Sequence, residues 1–359
     1  MGTRLSLKTR ATRRSHGRAT LADVAAVAGV TAITVSRYLR EPHRVAADTA
    51  ATIAAALAST GYLPNKQAGV LASGGAGASR MVAALIPSIA NSIFAETVQG
   101  LAETLQGSGC ELLLAATNYS TAREEAQLRA LMGWFPSAIV VTGRRHSDGA
   151  LALLRQAQSR GAPVIEIWDH HPEEHRPEGG FTQIGFDHEE VGRAMAVHLI
   201  ERGYKTLAYL DSGVAEDFRA HERGQGFLAE ARRRRVAARR IVAPLAGEAI
   251  QAGREALPLL LDSQGRPAVS AVAFANDHLA CGALLAAQAL RLDVPRELAL
   301  LGFGDFALGR QLQPALSTVQ VPRLQIGTAA ALALLAALDG HTAAAGQRLP
   351  WSLLPRQST

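Results

Sequence analysis

The chain has 359 residues, 48% of them hydrophobic, a length that suggests two or three domains with ample material for their cores. Cys110 and Cys281 are its only cysteines and stand far apart, which excludes a disulfide framework or a metal-ligand spacing and fits a reducing cytoplasm; both read as core thiols. The longest apolar runs, such as Thr328 to Leu338, are too short or too Ala-rich to span a bilayer, and no export signal follows the charged first residues, so a cytoplasmic protein without membrane association is expected.

Net charge is +6, but residues 1 to 80 hold eleven Lys or Arg against three Asp or Glu, a balance of +8 that leaves −2 for the rest. Basicity concentrated at one end is the footprint of phosphate neutralisation. Within it, residues 1–18 carry scattered Arg and Lys and read as an unstructured basic tail.

From Thr20, the stretch TLADVAAVAGVTAITVSRYL places Leu21, Val24, Ala25 and Ala28 at helical spacing, with Gly29 closing the helix and Val30 filling a tight turn. Thr20 stands where an N-cap belongs and Asp23 follows three residues later, a Thr-x-x-Asp variant of the capping box; Thr31 can cap a second helix likewise. On that second helix Val35 and Leu39 face the first. Ala32, Ile33, Thr34, Ser36 and Arg37 are left on or near the outward side, a short and mostly uncharged face suited to a groove. A helix entering the major groove reads base edges with its first turn, while Thr, Ser and Arg hold phosphates or guanine. Alone, the pattern is equally that of a small helical hairpin with surface hydroxyls.

Ser73 to Ser79, SGGAGAS, reads as a flexible connector and domain boundary. Beyond it apolar strands alternate with helical segments: Val82 to Ile86, Glu111 to Ala115, Ala138 to Val141, Val164 to Trp168, Leu207 to Leu210, Val269 to Phe274 and Leu298 to Phe303. Such alternation predicts parallel sheets with crossover helices, two lobes by count, and ligands held beyond the carboxyl ends of the strands. His170, His171 and His175 invite a metal reading, but Pro172 and nearby carboxylates make them a polar loop; no metal is assigned. Arg232 to Arg235, with Arg239 and Arg240, read as a solvated helix end and turn. The chain has no G-x-S-x-G elbow, no H-E-x-x-H and no P-loop, so no catalytic residue and no cofactor is assigned.

The run LADVAAVAGVTAITVSRYL, a third helix around Asp48 to Thr60, then GYLPN and an Ala-x-x-Leu step ending at Leu71 resemble the N-terminal domain of the lactose-repressor (LacI) family of bacterial transcription factors. The resemblance implies a recognition helix from Thr31 to Arg37, with Ala32, Ile33 and Arg37 at base-reading positions and Thr20, Thr34, Ser36 and Asn65 near phosphate or sugar. It implies further that Lys66 to Ala72 form a hinge helix that folds in the minor groove, Leu71 wedging between base steps. Gly69 departs from that pattern and costs such a helix roughly 1 kcal/mol relative to Ala.

The resemblance extends over almost the whole chain through LIPSIANSIFAETVQGL, PVIEIWD, IGFDHEEVGRAMAVHLIERGYKTLAYL, RGQGF, FANDHLACGAL and LALLGF. It implies a small all-α helix-turn-helix domain at residues 19–63 and a hinge helix and linker at 64–79. A two-lobed α/β domain similar to periplasmic binding proteins, with parallel sheets, follows at 80–359. Three crossovers are expected near Trp168 to Asp169, Phe303 to Asp305 and Val319 to Pro322, with an effector between the lobes. Carried over motif by motif, the effector residues are Asn91, Phe94, Trp168, Asp169, Arg223, Asn276 and Asp277. Arg223 can grip a carboxylate or vicinal hydroxyls bidentately, although an Arg on a helix face is otherwise a solvated charge; an N-D pair after a strand is otherwise a helix cap.

At Gly304 most family members carry an acidic residue; its loss here removes repulsion for an anionic effector, and the chain looks most like the gluconate-utilisation repressors of the family. Arg144, Arg145 or His146 would add positive charge to the pocket, the other reading being an exposed loop. The implied function is a homodimeric or tetrameric repressor on double-stranded operator DNA, released by a sugar acid such as gluconate or by a sugar. A sugar-acid binding or metabolising protein with an incidental basic head is the alternative.

Overall fold

The Thr20 hydroxyl accepts from the Asp23 amide while the Asp23 carboxylate accepts from the Thr20 amide at 2.7 Å, so two amides at the helix start are satisfied reciprocally. Helix α1 (Leu21–Ala28) ends at Gly29, whose φ of +64° is the left-handed conformation that stops a helix. The chain bends by 105° into α2 (Ala32–Arg40), capped by Thr31. α3 (Ala47–Thr60) completes this unit, whose core is Val24, Ala25, Ala28, Val35, Ile53 and Ala56. The computed structural model describes residues 19–62, 80–89, 92–171, 180–244, 247–341 and 346–359. Asn65, Gly69, Leu71, Asn91 and His175 lie outside these residues.

The chain divides into two units, Met1–Ala78 and Ser79–Thr359. The second holds two sheets. β1 (Met81–Ile86), α4 (Ser92–Leu105), β2 (Glu111–Ala116), α5 (Thr121–Met132), β3 (Ala138–Thr142), α6 (Asp148–Ser159), β4 (Val164–Asp169) and β5 (Thr182–Phe186) build the first lobe. α7 (His188–Glu201) leads into the second: β6 (Thr206–Asp211), α8 (Phe218–Arg233), β7 (Ala237–Val242), α9 (Ala249–Ala256), β8 (Ala271–Phe274), α10 (Asp277–Ala289), β9 (Ala299–Phe303), α11 (Ala307–Gln311) and β10 (Ser317–Gln320). α12 (Arg323–Leu338) and β11 (Gln347–Arg348) return to the first lobe, and β12 (Ser352–Leu354) ends in the second. The sheet orders are β11-β5-β4-β3-β1-β2 and β12-β10-β9-β8-β6-β7, parallel throughout except for β12 on β10. Central strands such as β3 and β8 are buried at every residue, as strands covered by helices on both faces must be. Among the described residues no single helix is long and apolar enough to cross a membrane.

The crossovers correct two of the three expected positions. Trp168 and Asp169 do not leave the first sheet, because β5 continues it with Trp168 opposite Gly185; the chain crosses after Phe186. Phe303 to Asp305 does not cross either, since β10 lies beside β9 in the second sheet. The crossing after β10, at 320–323, falls where expected, and the third joins β11 to β12. β5 (TQIGF) and β10 (STVQ) are short and partly polar, so a search for apolar runs passes over them. Gln183 on β5 sits in the core because its amide donates to Glu166 on β4 at 2.8 Å. Arg239 and Arg240, expected in a solvated turn, lie on edge strand β7, where Arg240 pairs with Asp211 at 2.7 Å.

Three helix pairs cross at reciprocal glycines. A Cβ on Gly192 of α7 would stand 1.9 Å from the Arg223 carbonyl oxygen of α8, and one on Gly226 of α8 would stand 2.1 Å from that of Glu189. Gly253 and Gly282 serve α9 against α10, and Gly100 and Gly327 serve α4 against α12, with comparable clearances of 2.0–2.3 Å. Gly192→Ala is therefore expected to push α7 off α8 and to lower the unfolding free energy by about 1–3 kcal/mol. A urea midpoint equal to that of the parent chain would contradict this close contact.

A candidate DNA-reading helix and an interlobe cleft

On α2, Val35 is wholly buried and Leu39 and Tyr38 pack beside it, which fixes the outward face. That face presents Thr31, Ile33 and Arg37 exposed, with Thr34 and Ser36 half-buried; Ile33 is 71% exposed. An isoleucine so exposed on the first turn of a helix is an apolar contact without a partner in this unit. Thr31 and Thr34 share a hydroxyl hydrogen bond of 2.8 Å, and the Thr20 hydroxyl is 2.7 Å from the Asp23 carboxylate. Ala32 is half-buried against the small core.

Between the lobes lie two adjoining compartments that share Tyr119 and Arg219. The inner one is walled by Phe94, Trp168 and Phe303 and carries Arg223, His188 and Asn276. The outer one carries Arg144, Arg145, Asp169, Glu216 and Glu222. Strand ends and helix starts deliver these groups: Trp168 and Asp169 end β4, Phe303 ends β9, His188 opens α7, and Arg219 and Arg223 project from adjacent turns of α8. Trp168 has a φ of +74°, a strained conformation for a bulky residue, tolerated where the surroundings determine it. Its ring meets Phe94 edge-on at 5.3 Å.

Arg223 is buried. It donates to His188 Nδ1 at 2.9 Å and to the Ala275 carbonyl at 2.8 Å, with its guanidinium 3.9 Å from the centre of the Phe303 ring. Arginine has only donors, so His188 Nδ1 must be the acceptor and Nε2 must carry the proton, which goes to the Trp168 carbonyl at 2.9 Å. Burial, reinforced by the Arg223 charge, accordingly holds His188 below its ordinary pKa. Burial disfavours the Asp169 charge, but the nearby His188 N–H and the charges of Arg219 and Arg144 outweigh it and hold that carboxyl at about 2.

In the outer compartment Arg144 and Arg145 of the first lobe meet a single oxygen of Glu222 of the second, at 2.6 and 3.0 Å. His146 turns away from the cleft. It is fully buried between Glu124 (2.6 Å) and Glu166 (3.4 Å); burial opposes its charge, but the two carboxylates prevail and raise it to about 9. Asp277 lies outside both compartments. It accepts from the Thr318 hydroxyl at 2.6 Å and the Phe306 amide at 2.8 Å, and burial pushes its carboxyl up to about 6. Asn276 lines the inner compartment while its side chain caps α10 at the Leu279 amide, the helix-cap reading of the N-D pair.

Arg219, His188, Tyr119 and Phe303 line the cleft although motif matching does not nominate them. Arg219 was within reach of sequence reasoning, because four residues before Arg223 on a helix means the same face. Among the described residues the Nε–H groups of Arg223 and Arg144 and the indole N–H of Trp168 are buried without hydrogen-bond partners, while Asp169 Oδ1 lies 3.3 Å from His188 Nε2. Three such donors beside aromatic walls are complementary to a polar ligand rich in acceptors.

A model of the lacI family of bacterial regulatory proteins matches residues 20–65, and one of a periplasmic binding protein-like domain matches residues 196–359. The HTH-type transcriptional regulator GntR of Pseudomonas aeruginosa is 34% identical over 349 residues, covering 96% of this chain and 97% of that protein. GntR of Escherichia coli K12 is 31% identical over 330 residues, covering 90% and 93%. Among solved structures, a lacI-family transcriptional regulator from Silicibacter pomeroyi superimposes with a TM-score of 0.84 at 30% identity, over 95% of this chain and 99% of the other. The lac repressor dimer bound to operator, at 23% identity and a TM-score of 0.77, shares the fold over 95% of this chain and 99% of its own. Helix-turn-helix and two-lobed domain thus occur in one order along nearly full-length relatives, and the chain belongs to the lacI family of bacterial regulatory proteins.

Proposed function

We propose that this transcription regulator, which is not an enzyme, represses genes of sugar or sugar-acid utilisation and leaves its operator when a gluconate-like acid binds between the lobes. The observation that carries the effector reading is the set of unpartnered buried donors on Trp168, Arg223 and Arg144. A polyhydroxy acid supplies acceptors for all three. The relatives named GntR support the branch. Two reading heads of a homodimer would address a pseudo-palindromic site, each with Ile33 toward a thymine methyl and Arg37 toward base or phosphate. The effector acts only through its difference in affinity between the DNA-bound and released arrangements of the lobes.

Fluorescence anisotropy with DNA from upstream of the protein's own gene should show specific binding that gluconate reverses; no binding to any such segment would remove the operator reading. Arg37→Ala is expected to weaken specific binding by about 1–3 kcal/mol, with the thermal transition of the two-lobed domain unmoved. Operator affinity retained in that variant would take Arg37 off the reading face. Arg223→Ala should keep its affinity for operator and lose the response to gluconate, and a normal response there would place the effector elsewhere.

A further inference from the structure

Two guanidiniums from one lobe converge on one carboxylate from the other at the mouth of the cleft. The Glu222 side chain is 5% exposed. Its Oε1 receives Arg144 Nη2 at 2.6 Å, together with Arg145 Nη2 at 3.0 Å and Nε at 3.3 Å. Arg145 also lies over the Phe218 ring of α8 at 5.2 Å. A second link crosses the same mouth, where the amide and hydroxyl of Thr121 both donate to Glu216 at 2.9 and 2.7 Å. A carboxylate held by arginine forks is also what an acid ligand would become on entering. Glu222 therefore occupies the place in the outer compartment that such a ligand's anionic end would take.

We propose that Glu222 is an internal competitor and latch. Bound to Arg144 and Arg145 it ties the lobes together with no ligand present, and an acid effector gains these arginines only by displacing it. The competitor half of this inference rests on the sugar-acid reading above; the latch half does not. Apparent affinity is reduced by the fraction of molecules whose arginines are free, so occupancy by Glu222 sets the effector concentration at which the protein responds.

The test uses the full chain with spin labels at Ala122→Cys and Ala215→Cys, exposed positions that flank the Thr121 to Glu216 link, diluted with unlabelled protein. Without ligand, Glu222→Gln should lengthen or broaden the interlobe distance distribution relative to the parent. Arg145→Gln, at a half-exposed residue, should do so to a smaller extent and serves if the first variant folds poorly. Unchanged distributions in these variants overturn the latch. By calorimetry Glu222→Gln should bind gluconate about tenfold more tightly, because its amide no longer competes for the arginines. Equal or weaker binding overturns the competitor. Absence of any gluconate binding by the parent counts against the sugar-acid effector itself, and the distance measurement then judges the latch by itself.

Discussion

Arginine can only donate, and Arg223 stands where that asymmetry governs the floor of the cleft. From α8 in the second lobe it imposes an acceptor on His188, which opens α7 at the first crossover, and His188 passes its remaining proton to the Trp168 carbonyl in the first lobe. The other arm of the fork binds the Ala275 carbonyl at the end of β8. One side chain thus registers β4, α7, α8 and β8 against each other. The row of rings from Phe94 through Trp168 and Phe186 to Phe303, with neighbours 5.3, 6.0 and 6.3 Å apart, runs along the same floor and makes it apolar. In that setting each polar atom left unpaired is costly, which is why the unpartnered donors there point to a ligand.

Most charges around the cleft meet an opposite charge. Arg144 and Arg145 answer Glu222, His146 answers Glu124 and Glu166, and Arg219 and Arg144 stabilise the Asp169 anion. The same practice supports the turn after β9, where Asp305 receives Arg310 at 2.9 Å and Arg356 at 2.5 Å. Asp277, deeper, is raised by its burial, which the hydroxyl and amide it accepts from do not offset, while Asp305, despite its burial, is held below its ordinary value by Arg356 and Arg310. Gly302 lies against Asp277 so closely that a Cβ would stand 2.0 Å from its carboxylate; the pair is a structural brace under the cleft.

How much could be read from residues alone follows from the kind of signal each feature leaves. The two capped helices were legible because caps and helical spacing are local, and the long strands because parallel strands buried on both faces read as apolar runs. β5 and β10 were not, since Gln183 and Thr318 are polar and find partners across the sheet, on Glu166, or at a distant helix start, on Asp277. Arg223, Trp168, Phe94 and Asn276, named from motifs, line the inner compartment; Asp169, also from a motif, lines the outer with Arg144, which was named for its charge alone. Asp277 illustrates the opposite case: neighbouring residues in an N-D pair alternate between facing the cleft and facing the core, and nothing in the dipeptide says which does which. The sharing of Glu222 by two arginines 77 and 78 residues away has no local signature at all.

The glycine crossings bear on how such a molecule can carry a message. Where Gly192 meets the Arg223 carbonyl and Gly226 meets that of Glu189, backbone rests on backbone with no side chain to yield between them. Helices seated this way cannot slide without lifting apart, so each lobe behaves as a stiff beam rather than a cushion. Stiffness of this kind would leave the crossovers as the place where one lobe can turn against the other.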